Sequence, residues 1–403
     1  MAMTENETHD HLVHEAMGPA FKPLEAGGAI GVGVISLLAL GVLPVLLGSL
    51  ADEHRMGAPD IGLAAMLELL AMGVTTGLAG MVLKPDRLRL IAVLATLALV
   101  ASDLAILSAS GPAILGLRAA AGAAEGFLLW ITVGMIARTV TPERWAGVFF
   151  TAQVLAQLVL AVGLAAWVMP RFGANGGFAA LAAASVLGII PALVCPGRFA
   201  PLPTAPGEGG APPPRGWIAL GAILIYVSAN GAVSVYLQPL AHQAGLTADV
   251  ARTALWTSLV AQVIGASAAT ALAGRVRYFT VFVIATVGFA VVWYVFDRQS
   301  PAWLFIGANA LSGLVFLFLA PFLVPMIIDA DPSRRAALQS GAAQLLGGAL
   351  GPLLASRVVG DHDVRGVLWL ALGLMLAGFI VVAWLRFTSA AAQARLASAM
   401  REA

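Results

Sequence analysis

Twelve stretches of this chain are each apolar for about 20 residues, and only short loops separate most of them. They cover residues 28–50, 59–83, 89–109, 113–139, 145–169, 174–194, 216–241, 248–273, 278–296, 301–328, 334–356 and 365–387. A helix of that length crosses a hydrocarbon core. Lipid offers no partner to a backbone N–H or C=O, so spans in this pattern must be helices. The chain is 60% hydrophobic and 11% charged, whereas a soluble domain carries about 25% charged residues. The expected fold class is an all-α membrane protein of twelve transmembrane helices.

The longest interior break reads CPGRFAPLPTAPGEGGAPPPRG, residues 195–216. Its proline and glycine content marks a linker, and it divides the spans six and six. The expected organisation is a tail at 1–26, a six-helix bundle at 27–195, a linker at 196–215, a second six-helix bundle at 216–387 and a tail at 388–403. The two halves also match each other. TPERWA (141–146) and DPSRRA (331–336) share a pattern at an offset of 190, and GLRAAAG (116–122) and GANALSG (307–313) share glycines at 191. GLAG (77–80) and ALAG (271–274) match at 194. Matches at nearly one offset indicate a duplicated unit and hence two pseudo-symmetric bundles. The alignment sets Asn309 opposite Arg118 and Gln262 opposite Glu68.

With the N-terminus inside, fifteen lysines and arginines fall in inner segments and six in outer ones. The positive-inside bias then places both termini in the cytoplasm. The chain has only two lysines among 22 basic residues, which fits a bacterial, GC-rich genome and an inner-membrane location. Net charge is +1, which gives no field for nucleic acid. The first residues are acidic and precede the apolar run, so no signal peptide is expected. His9, His11 and His14 stand in that tail without a cysteine or a core to hold a geometry, so no metal site is expected. Cys195 is the only cysteine, which excludes an intramolecular disulfide.

Four charged residues lie well within spans: Glu68, Asp103, Arg118 and Glu125. A charge at the bilayer centre costs about 3 kcal/mol on insertion scales, so each demands a partner or a role. Counting 1.5 Å per residue puts Glu68 about 13 Å, Arg118 about 8 Å and Glu125 about 18 Å below the outer ends of their helices. Asp103 comes out about 9 Å below its own. Arg118 is therefore expected to pair with Asp103 or Glu68. Glu125 is expected to sit alone and deeper, desolvated without a cation at its level, and so to be able to carry a proton. Glu68 and Glu125 are the candidates for proton coupling. Arg118 and Asp103 are the candidates for charge pairing or for gripping a substrate carboxylate.

The second half has no such charge. Its polar candidates for a solute surface are Tyr226, Asn230, Trp256, Gln262, Asn309 and Gln344, with Gln153 and Gln157 from the first half. Each could equally be interhelical glue.

These features resemble the major facilitator superfamily over residues 27–387. LRAAAGAAEG, with Arg118, Gly122 and Gly126, is similar to the fourth-helix motif of its proton-linked members. GMVLKPDRLR, with Gly80, Asp86, Arg87 and Arg89, resembles the family's loop between the second and third helices, though longer by two residues and missing its second glycine. GGALGP, with Gly347, Gly351 and Pro352, resembles a glycine–proline pattern that drug exporters carry in helix five; here it stands in helix eleven. The resemblance implies gating roles for Gly80, Asp86, Arg87, Gly347, Gly351 and Pro352. It implies a proton-coupled secondary transporter of a small organic solute that works by alternating access. The weight falls on export of amphipathic or hydrophobic compounds. Proton symport of an aromatic or aliphatic acid is the alternative, and a non-transporting sensor is the reading from another class. No His/Cys/Asp cluster lies in the spans, so an enzyme is not expected. No cofactor is expected, the partners are solute, protons and lipid, and the expected state is a monomer.

Overall fold

The computed structural model describes residues 21–202, 211–298, 300–360 and 363–402. His9, His11 and His14 lie outside the described residues. Within them the regular structure is helical apart from one isolated bridge between Asp86 and Arg198. The chain divides into two compact units, Met1–Gly210 and Ala211–Ala403.

The first unit contains α1 (Pro23–Ser36), α2 (Leu43–Asp52), α3 (Ala58–Val82), α4 (Leu88–Ala105), α5 (Pro112–Ile136), α6 (Pro142–Gly163), α7 (Met169–Leu187) and α8 (Ile189–Val194). The second contains α9 (Pro214–Val235), α10 (Leu237–Gln243), α11 (Ala248–Leu272), α12 (Tyr278–Asp297), α13 (Ala302–Leu319), α14 (Leu323–Ala330), α15 (Ser340–Ala355) and α16 (Gly366–Glu402). Prolines open several of these helices, where the missing N–H is not needed: Pro23, Pro112, Pro142 and Pro214.

Ten described stretches are long and apolar enough to cross a membrane, where the sequence predicts twelve. The counts part at two places. Pro142–Val194 is one stretch of 53 residues. As a straight rod it would measure about 80 Å, far beyond one bilayer core. It is broken at Gly173, whose backbone (φ +57°, ψ −152°) is one that a side chain would oppose. The predicted spans 145–169 and 174–194 lie on the two sides of this break. The other place is α15, which has 16 helical residues and continues a 3₁₀ turn at Ala336–Gln339. The predicted run 334–356 covers both pieces.

Two segments outside the predicted spans are also structured. The last helix runs on to Glu402, through most of the stretch assigned to a tail. The linker also begins as packed structure: Cys195 and Phe199 are buried. Leu88 N donates to Gly197 O, and Phe199 N donates to Pro85 O. Arg89 Nε donates to Cys195 O at 2.7 Å, and Arg138 Nε to Ala200 O at 2.8 Å. Proline and glycine content reports what cannot be a helix. It does not report whether an extended segment is docked.

The helices show large apolar side chains outward, among them Trp303 at 72%, Trp369 at 68% and Ile380 at 65% exposure. A soluble protein would bury such a surface, and lipid accepts it. The chain is a multi-pass membrane protein.

In lipid the helices gain little from apolar burial, so they associate through close packing of small residues. In the first unit α5 lies against α3, α4 and α1. A Cβ at Gly122 would collide with the Glu68 carbonyl oxygen, and one at Gly126 would stand 2.7 Å from the Met72 oxygen. In the second unit α11 packs on α13, and a Cβ at Gly313 would meet Ser258 and Gln262. Gly122 and Gly313 are the residues that the internal repeat aligns, and each serves the same contact in its own unit.

Candidate functional site

The site is built where three helices of the first unit come closest. Because Gly122 has no side chain, α5 rests on the backbone of α3 at Glu68. Arg118 stands one turn before that contact and Glu125 about one turn after it. Glu68 is therefore between them. Asp103 arrives from α4. All four residues are 0% exposed.

Arg118 Nη2 donates to Asp103 Oδ1 at 2.6 Å. Its Nη1 donates to Glu68 Oε1 at 3.3 Å and stands at the same distance from Oε2. Phe178 of α7 covers the guanidinium, with its ring centre 5.6 Å from Cζ. One planar cation thus joins three helices, its fork matched to two carboxylates.

Glu125 is not alone, and that sequence expectation is corrected. It stands about one turn beyond the point where α5 touches the backbone at Glu68, and both carboxyls are buried. Among the described residues no N–H or hydroxyl reaches either of the Glu125 oxygens. The depth count placed the two about 5 Å apart along the axis. Two glutamate side chains bridge such a gap once the backbones touch. The count could not see that touch, because it treats helices as separate rods.

Two threonine hydroxyls complete the packing. Thr76 Oγ1 donates to Gly126 O at 3.0 Å, and Thr132 Oγ1 to Ala29 O at 2.6 Å. They tie α5 to α3 and α1. Threonine at a glycine-lined contact was the available signal.

The candidates for a solute surface are not gathered in the same way. Gln157 Nε2 donates to Leu37 O at 2.5 Å, and Gln153 is buried on the same helix. Tyr226 is 3% exposed, its hydroxyl 3.1 Å from Thr286 Oγ1 and its ring edge-on to Phe282 and Phe289. Asn309 Nδ2 donates to Ala254 O at 2.8 Å, which joins α13 to α11. Gln344 donates within its own helix to Ser340 O at 3.3 Å. Asn230 and Gln262 are half-buried, and Trp256 is 36% exposed. Tyr226, Asn309 and Gln157 have their polar atoms engaged by neighbouring helices.

The fold has solved counterparts. The human organic anion transporter MFSD10 (TETRAN) superposes with a TM-score of 0.70 at 16% identity, over 90% of this chain and 100% of that one. The major facilitator superfamily transporter FucP in its outward conformation superposes at 0.72 with 12% identity, over 89% and 98%. This chain has the major facilitator fold. The E. coli fucose:proton symporter FucP, in a variant, matches it at 0.70 with 12% identity, over 89% and 98%. No protein-family model matches the sequence, and no curated protein does.

Within this major facilitator fold the residues given gating roles divide. Asp86 and Arg87 form the turn between α3 and α4, and Gly80 is in the last turn of α3. Asp86 bridges to Arg198, and Arg87 takes a left-handed backbone with φ 54°. The loop is bound to the segment after α8. Gly347 and Gly351 face α9: a Cβ at Gly347 would stand 2.6 Å from the Leu224 oxygen, and one at Gly351 would collide with the Ser228 oxygen. They are packing positions, with Pro352 inside the same helix.

A charge network in the second unit went unread in the sequence. Tyr278 donates to Asp329 Oδ2 at 2.5 Å, and Arg386 Nη1 stands 3.7 Å from the same oxygen. These residues sit at the ends of apolar runs, where charges are common, so nothing set them apart.

Proposed function

We propose that this chain is a secondary active transporter that moves a small organic solute across a bacterial inner membrane by alternating access, coupled to protons. Both termini would be cytoplasmic. The observation that carries the reading is the pair of carboxyls, Glu68 and Glu125, held at 0% exposure within a bundle of the major facilitator fold. Intramembrane acids of this kind mark ion and proton pathways. That FucP is described as a fucose:proton symporter supports proton coupling in this fold.

The surroundings of Arg118 support the proposed direction. Its fork already holds Glu68 and Asp103, and it has no exposed surface. A solute anion would have to displace one of them. This favours export of amphipathic or hydrophobic compounds over symport of an organic acid. The second reading draws on MFSD10, described as an organic anion transporter. Gly80, Asp86 and Arg87 would gate one end of the first unit, and Gly347, Gly351 and Pro352 would set the angle of α15.

One residue separates the two. For export, Arg118→Lys alters coupling but leaves apparent solute affinity within a few fold. For symport, the change removes the bidentate grip and weakens affinity by about an order of magnitude or more. Inside-out vesicles with an imposed pH gradient should accumulate a lipophilic dye. Accumulation of an organic acid by right-side-out vesicles at low external pH, with no dye movement, would overturn export.

A further inference from the structure

Where α12 begins and α16 passes it, arginines gather at the edge of an apolar surface. The turn between α11 and α12 bends at Gly274 (φ +76°) and presents Arg275 and Arg277, both exposed. Tyr278, the first residue of α12, donates to Asp329 Oδ2 at 2.5 Å. Arg386 of α16 stands beside them, with Cζ 6.0 Å from the Tyr278 ring centre. Its Nη1 is 3.7 Å from that same Asp329 oxygen, and its side chain is 33% exposed. That distance is too long for a hydrogen bond, so the tyrosine has the close contact with the carboxylate and the guanidinium adds charge. The neighbouring acid, Asp331, is taken up by its own turn, where it accepts from Ser333 N and Oγ and from Ala336 N. Among the described residues of this end, Arg275, Arg277 and Arg386 thus accompany one carboxylate, Asp329.

The surface next to this cluster is one that lipid covers. Phe279 stacks on Phe379 with ring centres 5.9 Å apart and meets Phe387 edge-on at 5.7 Å, which closes α12 on α16 directly beside Arg386. Exposed apolar rows run along these neighbouring helices: Val283, Ile284 and Val287 on α12, and Leu376, Ile380 and Trp384 on α16. Within each row the residues recur at three or four, so each row is one face of its helix. Trp384 and Phe387 are exposed on either side of Arg386. Exposed aromatic rings at the end of a span settle at the headgroup level, and Arg386 is therefore at the depth of phosphates rather than of acyl chains. Arg215 of α9 holds this part of α16 in place, since its Nη2 donates to Leu385 O at 3.0 Å and to Ser389 Oγ at 2.7 Å.

We propose that this end of α12 and α16 is a binding site for an anionic phospholipid, with Arg277 and Arg386 holding the phosphodiester and the two apolar rows receiving its acyl chains. Charge selects the lipid. A phosphodiester without an ammonium supplies the negative charge that Asp329 alone does not. A zwitterionic headgroup would bring a further cation to a place that already has three arginines. A guanidinium fork also matches two oxygens of one phosphate. Bound there, the lipid fastens α12 to α16 from outside, across the Phe279–Phe379 contact.

Native mass spectrometry of the full chain, released from detergent with equal amounts of phosphatidylglycerol and phosphatidylcholine, tests this. The wild type should retain phosphatidylglycerol in preference, and added phosphatidylglycerol should raise its melting temperature more than phosphatidylcholine does. Arg277→Gln should weaken retention about fivefold, and Arg277→Gln with Arg386→Gln about thirtyfold. Arg298→Gln is the control, an exposed arginine at the other end of α12 beside Tyr294, and should change nothing. Melting in phosphatidylcholine checks folding; if the double variant melts early, the exposed Arg277→Gln alone decides. Equal retention of the two lipids by the wild type would overturn the site. So would full retention in Arg277→Gln, or an equal loss in Arg298→Gln. Stabilisation by glycerol phosphate as large as that by phosphatidylglycerol would point to a free phosphate and overturn the lipid.

Discussion

Arg118 Nη2 lies 2.6 Å from Asp103 Oδ1, while Nη1 of the same fork lies 3.3 Å from Glu68. A single side chain at 0% exposure therefore fastens α5 to α4 and to α3 at one level. Removing it leaves buried acids without their cation. Arg118→Met should destabilise the protein by about 3–5 kcal/mol, the usual cost of breaking a buried pair from one side. Neutralising the partners with Asp103→Asn and Glu68→Gln should restore much of the folded yield. Thermal melting in detergent measures both. Equal melting of Arg118→Met and wild type would show that the ion pairs carry no stability.

Glycine contacts should be as sensitive as the charges. Gly122→Ala places a methyl on the Glu68 carbonyl, and overpacking of this kind costs about 1–3 kcal/mol. Gly351→Leu should cost more, because its side chain would collide with the Ser228 oxygen. Gly116, with nothing within 4 Å of its Cβ position, is the control, and Gly116→Ala should be neutral or slightly stabilising. If Gly116→Ala and Gly122→Ala melt alike, close approach of α5 to α3 is not what holds them.

Cys195 reports on the docked start of the linker. Burial pushes its thiol up to about 11, although Arg89 nearby acts in the opposite sense. The thiolate is the reactive form. Alkylation by a membrane-permeant maleimide should be slow near neutral pH. It should rise about tenfold per pH unit up to that value. Phe199→Ala should accelerate it at fixed pH, since Phe199 packs under Arg138, whose guanidinium carbon is 5.0 Å from the ring centre. Fast labelling of the wild type near neutral pH, with a plateau, would show that the segment is not docked.

Asn309 tests whether an engaged amide also serves a solute. Interhelical hydrogen bonds in membranes average about 0.6 kcal/mol. Asn309→Ala should lower the melting temperature slightly and leave the affinity for a transported solute unchanged. An order-of-magnitude loss of affinity would return Asn309 to the solute surface.

Much was legible before any coordinates, because insertion into lipid is decided locally. An apolar run of sufficient length must be a helix, so the spans and the division into halves follow from composition along the chain. The charges at 68, 103, 118 and 125 stood out for the same reason, since hydrocarbon makes each one costly. The helix breaks at Gly173 and around Ala39–Gly41 were less visible, because an apolar run reads the same whether its helix is straight or broken. Only the tertiary structure decided who meets whom. Arg118 was expected to hold Asp103 or Glu68 and holds both, and Glu125 was expected to stand alone and instead lies about one turn from the contact with Glu68. Both outcomes turn on α5 touching the backbone of α3 at Gly122. Sequence supplies a residue's depth and its helical face, but the distance between two helices is set by the small residues that happen to oppose each other, and that distance decides which charges can share a proton or a cation.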